Sequence, residues 1–313
     1  MESLNGLHHV TAITGDAAGN VRFYTGVLGL RLVKKTVNQD DVSAYHLFYA
    51  DGKGSPGTDV TFFDWPAAPA NRRGVPEIAP IALSVPPGSL TWWAQRFSAQ
   101  DVDHMAPDDG GQARLSFSDP EGQRLELVED RGPYAGEPWP GSDVPTEHQV
   151  RGLHGVRLAS ARPQLTVEVL AVMGYEHAGR QQSTEGEEHS FIVPHAGAGR
   201  EIRLLVPNER GVARQGRGGV HHAAFRVSGD EAQEEWRQRI AGVGLMPTPV
   251  IDRFYFKSVY FREPGGNLFE IATDGPGFTA DEPLDDLGVR LALPPFLEPR
   301  REQIEAGLAP IAI

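Results

Sequence analysis

The chain alternates between two hydrophobic rhythms. "GLHHVTAIT" (6–14) has the period-two pattern of a strand, and "GDAAGNVRFYTGVLGLRLV" (15–33) then turns helical, with Val21, Tyr24 and Leu28 on one face. The same succession returns in "GVHHAAFRV" (219–227) followed by "SGDEAQEEWRQRIAGVGLMPTP". Weaker copies begin near 79 with "APIALSVPPGSLTWWAQRFSAQDVDH" and at 152 with "GLHGVRLASARPQLTVEVLAVMGYEHAG". The copies also close alike. "DPEGQRLELVED" (119–130) and "EPGGNLFEIATD" (263–274) share an acidic residue, a Pro, a Gly turn and a strand carrying Glu, and "PGTDVTFFDW" (56–65) and "REIRLLVPNE" (200–209) are looser versions. Short strand candidates such as "AYHLFYAD" (44–51) and "HSFIVP" (189–194) fill the middles.

This internal repetition predicts four units of strand, helix and about three strands, near 6–65, 78–130, 151–207 and 218–273. Grouped by sequence, they give an N-terminal domain over 1–130, a Pro- and Gly-rich linker over 131–150 and a C-terminal domain over 151–313. The fold expected is α+β, with four βαβββ modules paired into two cup-shaped domains. The tail after 274 lacks the repeat, and "PRREQIEAGL" (299–308), with Pro299 at its start, predicts a short helix.

Pairing two units would turn side chains of their first and last strands into a shared cup. At the first-strand position the four units carry His9, Pro80, Gly155 and His222. At the last-strand position only units two and four carry a carboxylate, Glu126 and Glu270. Units one and four together therefore offer two imidazoles and one carboxylate, the facial triad of non-haem Fe(II) oxygen chemistry. That accounts for His9 and His222 lying 213 positions apart, and it predicts that the first and last units meet. Neighbours on a strand face opposite sides, so one His of each pair must be chosen. His8 has a counterpart in His154, in a unit without the second His. This favours ligation by His9 and His222, and a supporting role for His8 and His221. Glu126 reads as a structural remnant bonded to backbone, and His46 as structural.

Composition narrows the classes. The 313 residues are 40% hydrophobic and 23% charged, with net charge −13. That charge argues against nucleic acid or an anionic membrane as partner. No apolar run approaches the roughly 20 residues that span a bilayer. "MESLNG" lacks an export pattern, so a cytoplasmic location is expected. With no cysteine, disulfides and thiolate metal sites are excluded.

The quoted motifs, together with "GSPGT" and "EPGGNLFEIATDGPGFTADE", resemble the vicinal oxygen chelate superfamily along the whole chain, and within it the hydroquinone ring-cleaving dioxygenases. The resemblance implies an Fe(II) site, with Mn(II) as the alternative, that opens a hydroquinone-type or catechol-type ring with O₂, possible homo-oligomers included. By position it implies His9, His222 and Glu270 as ligands. It also implies His8, His221, Arg253, Tyr260 and Thr11 as residues around the metal and the substrate: Tyr260 as donor to a developing oxygen anion, His8 or His221 as acid or base, and Arg253 holding an anionic ring oxygen or a carboxylate. The plainer readings are a surface ion pair for Arg253 and strand packing for Tyr260. Two other function classes stand beside this one. A glyoxalase-like isomerase or thiol transferase would use more carboxylate ligands, and a non-catalytic binding module would keep no ligands.

Overall fold

The computed structural model describes residues 2–108, 112–209 and 211–311. Unit one runs β1 (Leu7–Thr14), α1 (Ala17–Val21, continued by a π-helical turn to Val27), β2 (Arg31–Val37), β3 (Tyr45–Ala50) and β4 (Asp59–Asp64). The Asp16 carboxylate caps α1 by accepting from the Gly19 N–H at 2.9 Å. Val21, Tyr24 and Leu28 are all buried, as their spacing predicts. Unit two has β5 (Glu77–Val85), α2 (Leu90–Ala99), β6 (Arg114–Ser118) and β7 (Arg124–Glu129). Its expected third closing strand is reduced, among the described residues, to isolated bridges at His104 and Asp108. Unit three has β8 (Leu153–Ala159), α3 (Pro163–Val172), β9 (Glu176–Gln182), β10 (Gly186–Ile192) and β11 (Glu201–Pro207). Unit four has β12 (Gly219–Val227), α4 (Asp230–Gly242), β13 (Ile251–Asp252), β14 (Lys257–Arg262) and β15 (Leu268–Thr273). The terminal helix predicted after Pro299 is α5 (Arg301–Gly307).

These strands make two curled sheets, ordered β13-β14-β15-β12-β1-β4-β3-β2 and β6-β7-β5-β8-β11-β10-β9. The first joins units one and four through the antiparallel pair β1–β12, and the second joins units two and three through β5–β8. Each sheet thus takes one unit from either side of 131–150. That stretch is pinned along its length. Arg96 donates to Asp143 (2.9 Å), Ser142 Oγ to the Gly29 carbonyl (2.8 Å), and the Glu137 N–H to Asp51 (2.8 Å).

One apolar core joins both sheets and takes in Trp93, Trp236 and Phe225. All eight residues of β1 are buried, with no wet face. One side of it meets this core and the other lines the cup. The tail crosses back over unit one, where Leu291 bridges Lys35 and the Tyr45 hydroxyl reaches the Ala309 carbonyl (2.9 Å). Among the described residues no helix is long and apolar enough to cross a membrane.

Candidate metal centre

The site begins with two irregularities in the β1–β12 ladder. Leu7 pairs with Phe225 and His9 with Ala224, so His8 is an extra residue on β1. Thr11 pairs with His222 and Ala12 with Val220, so His221 is an extra residue on β12. A β-bulge breaks the strict alternation of faces and re-aims a side chain. Here it lets both imidazoles of each pair work together. His8 Nδ1 lies 3.0 Å from His9 Nδ1, and His221 Nδ1 lies 2.8 Å from His222 Nδ1. Sequence alternation had forced a choice between neighbours, and the bulges remove it.

With their Nδ1 atoms engaged, His9 and His222 turn Nε2 toward each other at 3.3 Å. Glu270 on β15 completes the group, its Oε2 lying 2.9 Å from His222 Nε2 and 3.4 Å from His9 Nε2. These three are the one set among the described residues whose donor atoms converge as metal ligands. The Glu270 side chain has no exposure, and neither oxygen receives a well-formed hydrogen bond. A buried carboxylate in that condition is costly unless a cation accompanies it. Burial pushes its pKa up, but His9 and His222 outweigh this and hold it well below the usual carboxylate range.

Burial, then the His9 charge, push His8 down to about 3, and burial, then His222, push His221 to the same value. Both are therefore neutral at pH 7. Each neutral ring stands against the Nδ1 of its neighbour, His8 against His9 and His221 against His222, which orients the Nε2 atoms of His9 and His222 toward Glu270. Two imidazole nitrogens and one carboxylate oxygen within 4.8 Å of one another fit a divalent cation.

A cavity opens beside this group, with roughly 450 Å³ of unfilled space including the solvent at its mouth. His9, His222, Tyr260 and Arg253 line it, with His46, Phe48, Phe63, Tyr255 and Phe256 as aromatic walls. Tyr260 sits directly opposite Glu270 in the β14–β15 register, and its ring meets His222 edge-on at 5.6 Å. Burial, then the Glu270 charge, raise its phenol pKa, so it is a proton-bearing donor at neutral pH. Arg253 lies over the Tyr260 ring, 5.7 Å from its centre. It also makes the ion pair of the plainer reading, with Asp40 at 3.0 and 2.8 Å; both residues line the cavity, the guanidinium mostly buried and the Asp40 side chain 72% exposed.

His8, His221 and Thr11 are not among the described lining residues. Thr11 is instead linked to His46, which does line the cavity. Thr61 Oγ1 donates to Thr11 Oγ1 (2.8 Å) and lies 2.9 Å from His46 Nε2. The tail supplies a support that sequence reasoning missed. Lys34, without exposure, points its ammonium at Glu282 and at Asp281 (2.7 Å), and Asp281 accepts from the Tyr255 hydroxyl at 2.8 Å. Two signals were present: a Lys inside the apolar strand "RLVKKTV", and the acids of "ADEPLDD".

The model of the Glyoxalase/Bleomycin resistance protein/Dioxygenase superfamily matches residues 6–127. MhqA of Bacillus subtilis (strain 168), which carries the name of a ring-cleaving dioxygenase, is 45% identical over 98% of this chain and 99% of its own. The chain belongs to this superfamily. A chlorohydroquinone/hydroquinone 1,2-dioxygenase of Sphingobium indicum is 33% identical over 97% of this chain and 95% of its own. A crystal structure from Bacillus subtilis, of a protein named for dioxygenase activity, matches with TM-score 0.93 and 39% identity, covering 100% of this chain and 99% of that one. Glyoxalase I from Zea mays shares the fold (TM-score 0.63, 13% identity, covering 86% of this chain and 92% of that one).

Proposed function

We propose that this protein is a metal-dependent dioxygenase that opens the ring of a hydroquinone-type diol, with His9, His222 and Glu270 holding Fe(II) by first preference and Mn(II) by second. The observation that carries the reading is the fully buried, hydrogen-bond-poor Glu270 carboxylate facing two inward Nε2 atoms at the floor of an aromatic-walled cavity. Full-length relatives named as ring-cleaving and hydroquinone dioxygenases support the substrate class. A glyoxalase-like isomerase would want a second carboxylate. The position in unit one that matches Glu270 is Thr61, since Thr11–Thr61 and Ala224–Glu270 are equivalent register pairs.

A divalent cation held by His9, His222 and Glu270 would supply Lewis-acid and redox chemistry toward the diol and O₂. The protein's own residues do the rest. Phe48, Phe63 and Phe256 give the ring an apolar slot and keep water off it. The Tyr260 hydroxyl donates to the ring oxygen as negative charge grows on it, and the Arg253 guanidinium behind it strengthens that donor. His8 and His221, neutral and off the cavity wall, fix the orientation of His9 and His222 rather than exchange protons with substrate. Both atoms of O₂ enter the product, so no outside reductant is required.

The test is oxygen uptake by anaerobically prepared, Fe(II)-loaded protein with hydroquinones and catechols, with the product analysed by mass. Uptake of one O₂ per ring, with both oxygen atoms in the product, is expected for hydroquinones. Metal-loaded protein that consumes no O₂ with any of these diols would overturn the reading.

A further inference from the structure

Among the described residues lining the cavity, the charged side chains are Arg253 and Asp40, together with no other lysine or arginine. They come from opposite ends of the chain. Asp40 lies on the β2–β3 connection of unit one, and Arg253 follows β13 in unit four. They meet in a fork. Arg253 Nη1 donates to Asp40 Oδ1 (3.0 Å) and Nη2 to Oδ2 (2.8 Å), while Gln39 Nε2 donates to the Arg253 backbone carbonyl (2.7 Å). The next residue, Phe254, has φ +70°, a costly conformation for a bulky side chain, and its N–H is tied to Asp252 at 2.8 Å. The 38–40 connection and the Arg253 turn thus touch at the mouth of the cavity, through the part-buried Gln39 bond and an ion pair whose Asp40 side is open to solvent.

The paired N–H groups of a guanidinium are what a planar carboxylate on a ligand would seek. Here Asp40 already fills them. An aromatic ring bearing a carboxylate on the Arg253 side would have to displace Asp40 or lie beside its negative charge, and the described lining residues include no other lysine or arginine to receive it. To a ring with hydrogen, halogen or alkyl substituents the wall offers the apolar faces of Phe48, Phe63 and Phe256 and the aromatic face of His46.

We propose that Asp40 is a specificity-determining residue: by occupying the Arg253 fork, it makes the site select hydroquinones with uncharged ring substituents against those carrying a ring carboxylate. This rests on the ring-opening reading above for its substrate class, and it is tested by binding, which needs no turnover.

The experiment titrates full-length, Fe(II)-loaded wild type, Asp40→Asn and Asp40→Ala under nitrogen with methylhydroquinone and with 2,5-dihydroxybenzoate, following heat. Wild type should prefer methylhydroquinone by about tenfold or more. In both variants the preference should fall by about tenfold, through tighter binding of the carboxylate. The proposal is overturned if the ratio moves by less than about twofold in both variants. It is equally overturned if the ratio changes only because methylhydroquinone binding is lost, since that is what mere support of the loop would give. Oxygen uptake by wild type with methylhydroquinone, measured separately, decides the ring-opening reading without touching the binding ratio.

Discussion

The two sheets place a glutamate at the same register and answer it in opposite ways. Glu270 lies between Ala224 on β12 and Tyr260 on β14, and Glu126 lies between Ala82 on β5 and Ser116 on β6. The bulges recur as well, since β5–β8 slips between Ile78 and Ile81 and again around His154. In the first sheet the neighbouring positions hold His9 and His222, whose Nε2 atoms converge on Glu270. In the second sheet those positions are Pro80 and Gly155. The matching place in unit three is Arg203, which pairs with Glu126 and reaches Glu188 (3.2 Å) and Glu201 (3.7 Å). Arg114 adds bonds to Glu126 (3.2 Å) and Glu201 (2.7 Å). Glu126 is therefore not the backbone-bonded remnant expected from sequence. A buried carboxylate needs positive charge. One sheet supplies it with guanidinium groups, and the other leaves room for a metal.

The largest effect should come from removing what makes the first sheet different. His9→Ala, His222→Ala and Glu270→Ala should each take tightly held metal from about one per chain toward none, and oxygen uptake with it. Elemental analysis after gel filtration measures this, and full occupancy in any one variant would remove that residue from the ligand set. The matching cut in the second sheet is Arg203→Ala, which strands Glu126, Glu188 and Glu201. Breaking a buried ion pair from one side costs about 3–5 kcal/mol, so the denaturation midpoint should fall sharply. Metal content of the folded fraction should stay at the wild-type level. Loss of metal at unchanged stability would show that the two sheets are not independent in this respect.

The sequence made one of these regions far more legible than the other. A His-His pair appearing twice at the same point of a repeat stands out, and Glu270 follows from aligning strand ends. The guanidinium cluster leaves no such trace. Arg203 meets Glu126 from 77 positions away, and each alone is an ordinary charged residue on an alternating strand. The bulges were invisible for a different reason: an extra residue changes no letter in the pattern, only which face each letter takes. The Asp40–Arg253 pair depends on two loops from opposite ends of the chain, and nothing periodic announces it. The pairing of unit one with unit four, by contrast, was implied by the division of ligands between them.

A finer difference lies opposite the two glutamates, Tyr260 in one sheet and Ser116 in the other. Tyr260→Phe removes a hydroxyl and keeps the ring packed on His222. If that hydroxyl meets charge growing on the substrate, kcat should fall by roughly 10–1000-fold with metal content unchanged. Steady-state oxygen uptake on metal-replete protein reads it. Turnover at the wild-type rate would return Tyr260 to plain packing.

The smallest expected effect concerns acid response, where one carboxylate from each sheet points in opposite directions. In the second, burial pushes Glu201 up, but Arg114, His154 and Arg203 outweigh it and hold its pKa below the ordinary value. Such a carboxylate contributes stability above its unfolded pKa and loses that contribution as pH falls through the folded one. Asp64, at the end of β4 in the first sheet, is the reverse. Burial, then the charges of Glu121 and Asp16, raise it to about 6, and its Oδ1 has no hydrogen-bond partner. Its folded pKa lies above its unfolded one, so the folded protein holds the extra proton. Its contribution is greatest below about pH 4 and is lost as pH rises through about 6. Above that, Asp64 is a buried anion among other anions. Asp64→Asn should therefore raise the unfolding free energy at pH 8, read from denaturant titration, by about 1 kcal/mol once solvent screening is allowed for. The gain should shrink at pH 5, where the wild-type carboxyl is mostly protonated already. An equal gain at both pH values would mean that the asparagine acts through packing or a new hydrogen bond, and that Asp64 does not oppose Glu201 in its response to pH.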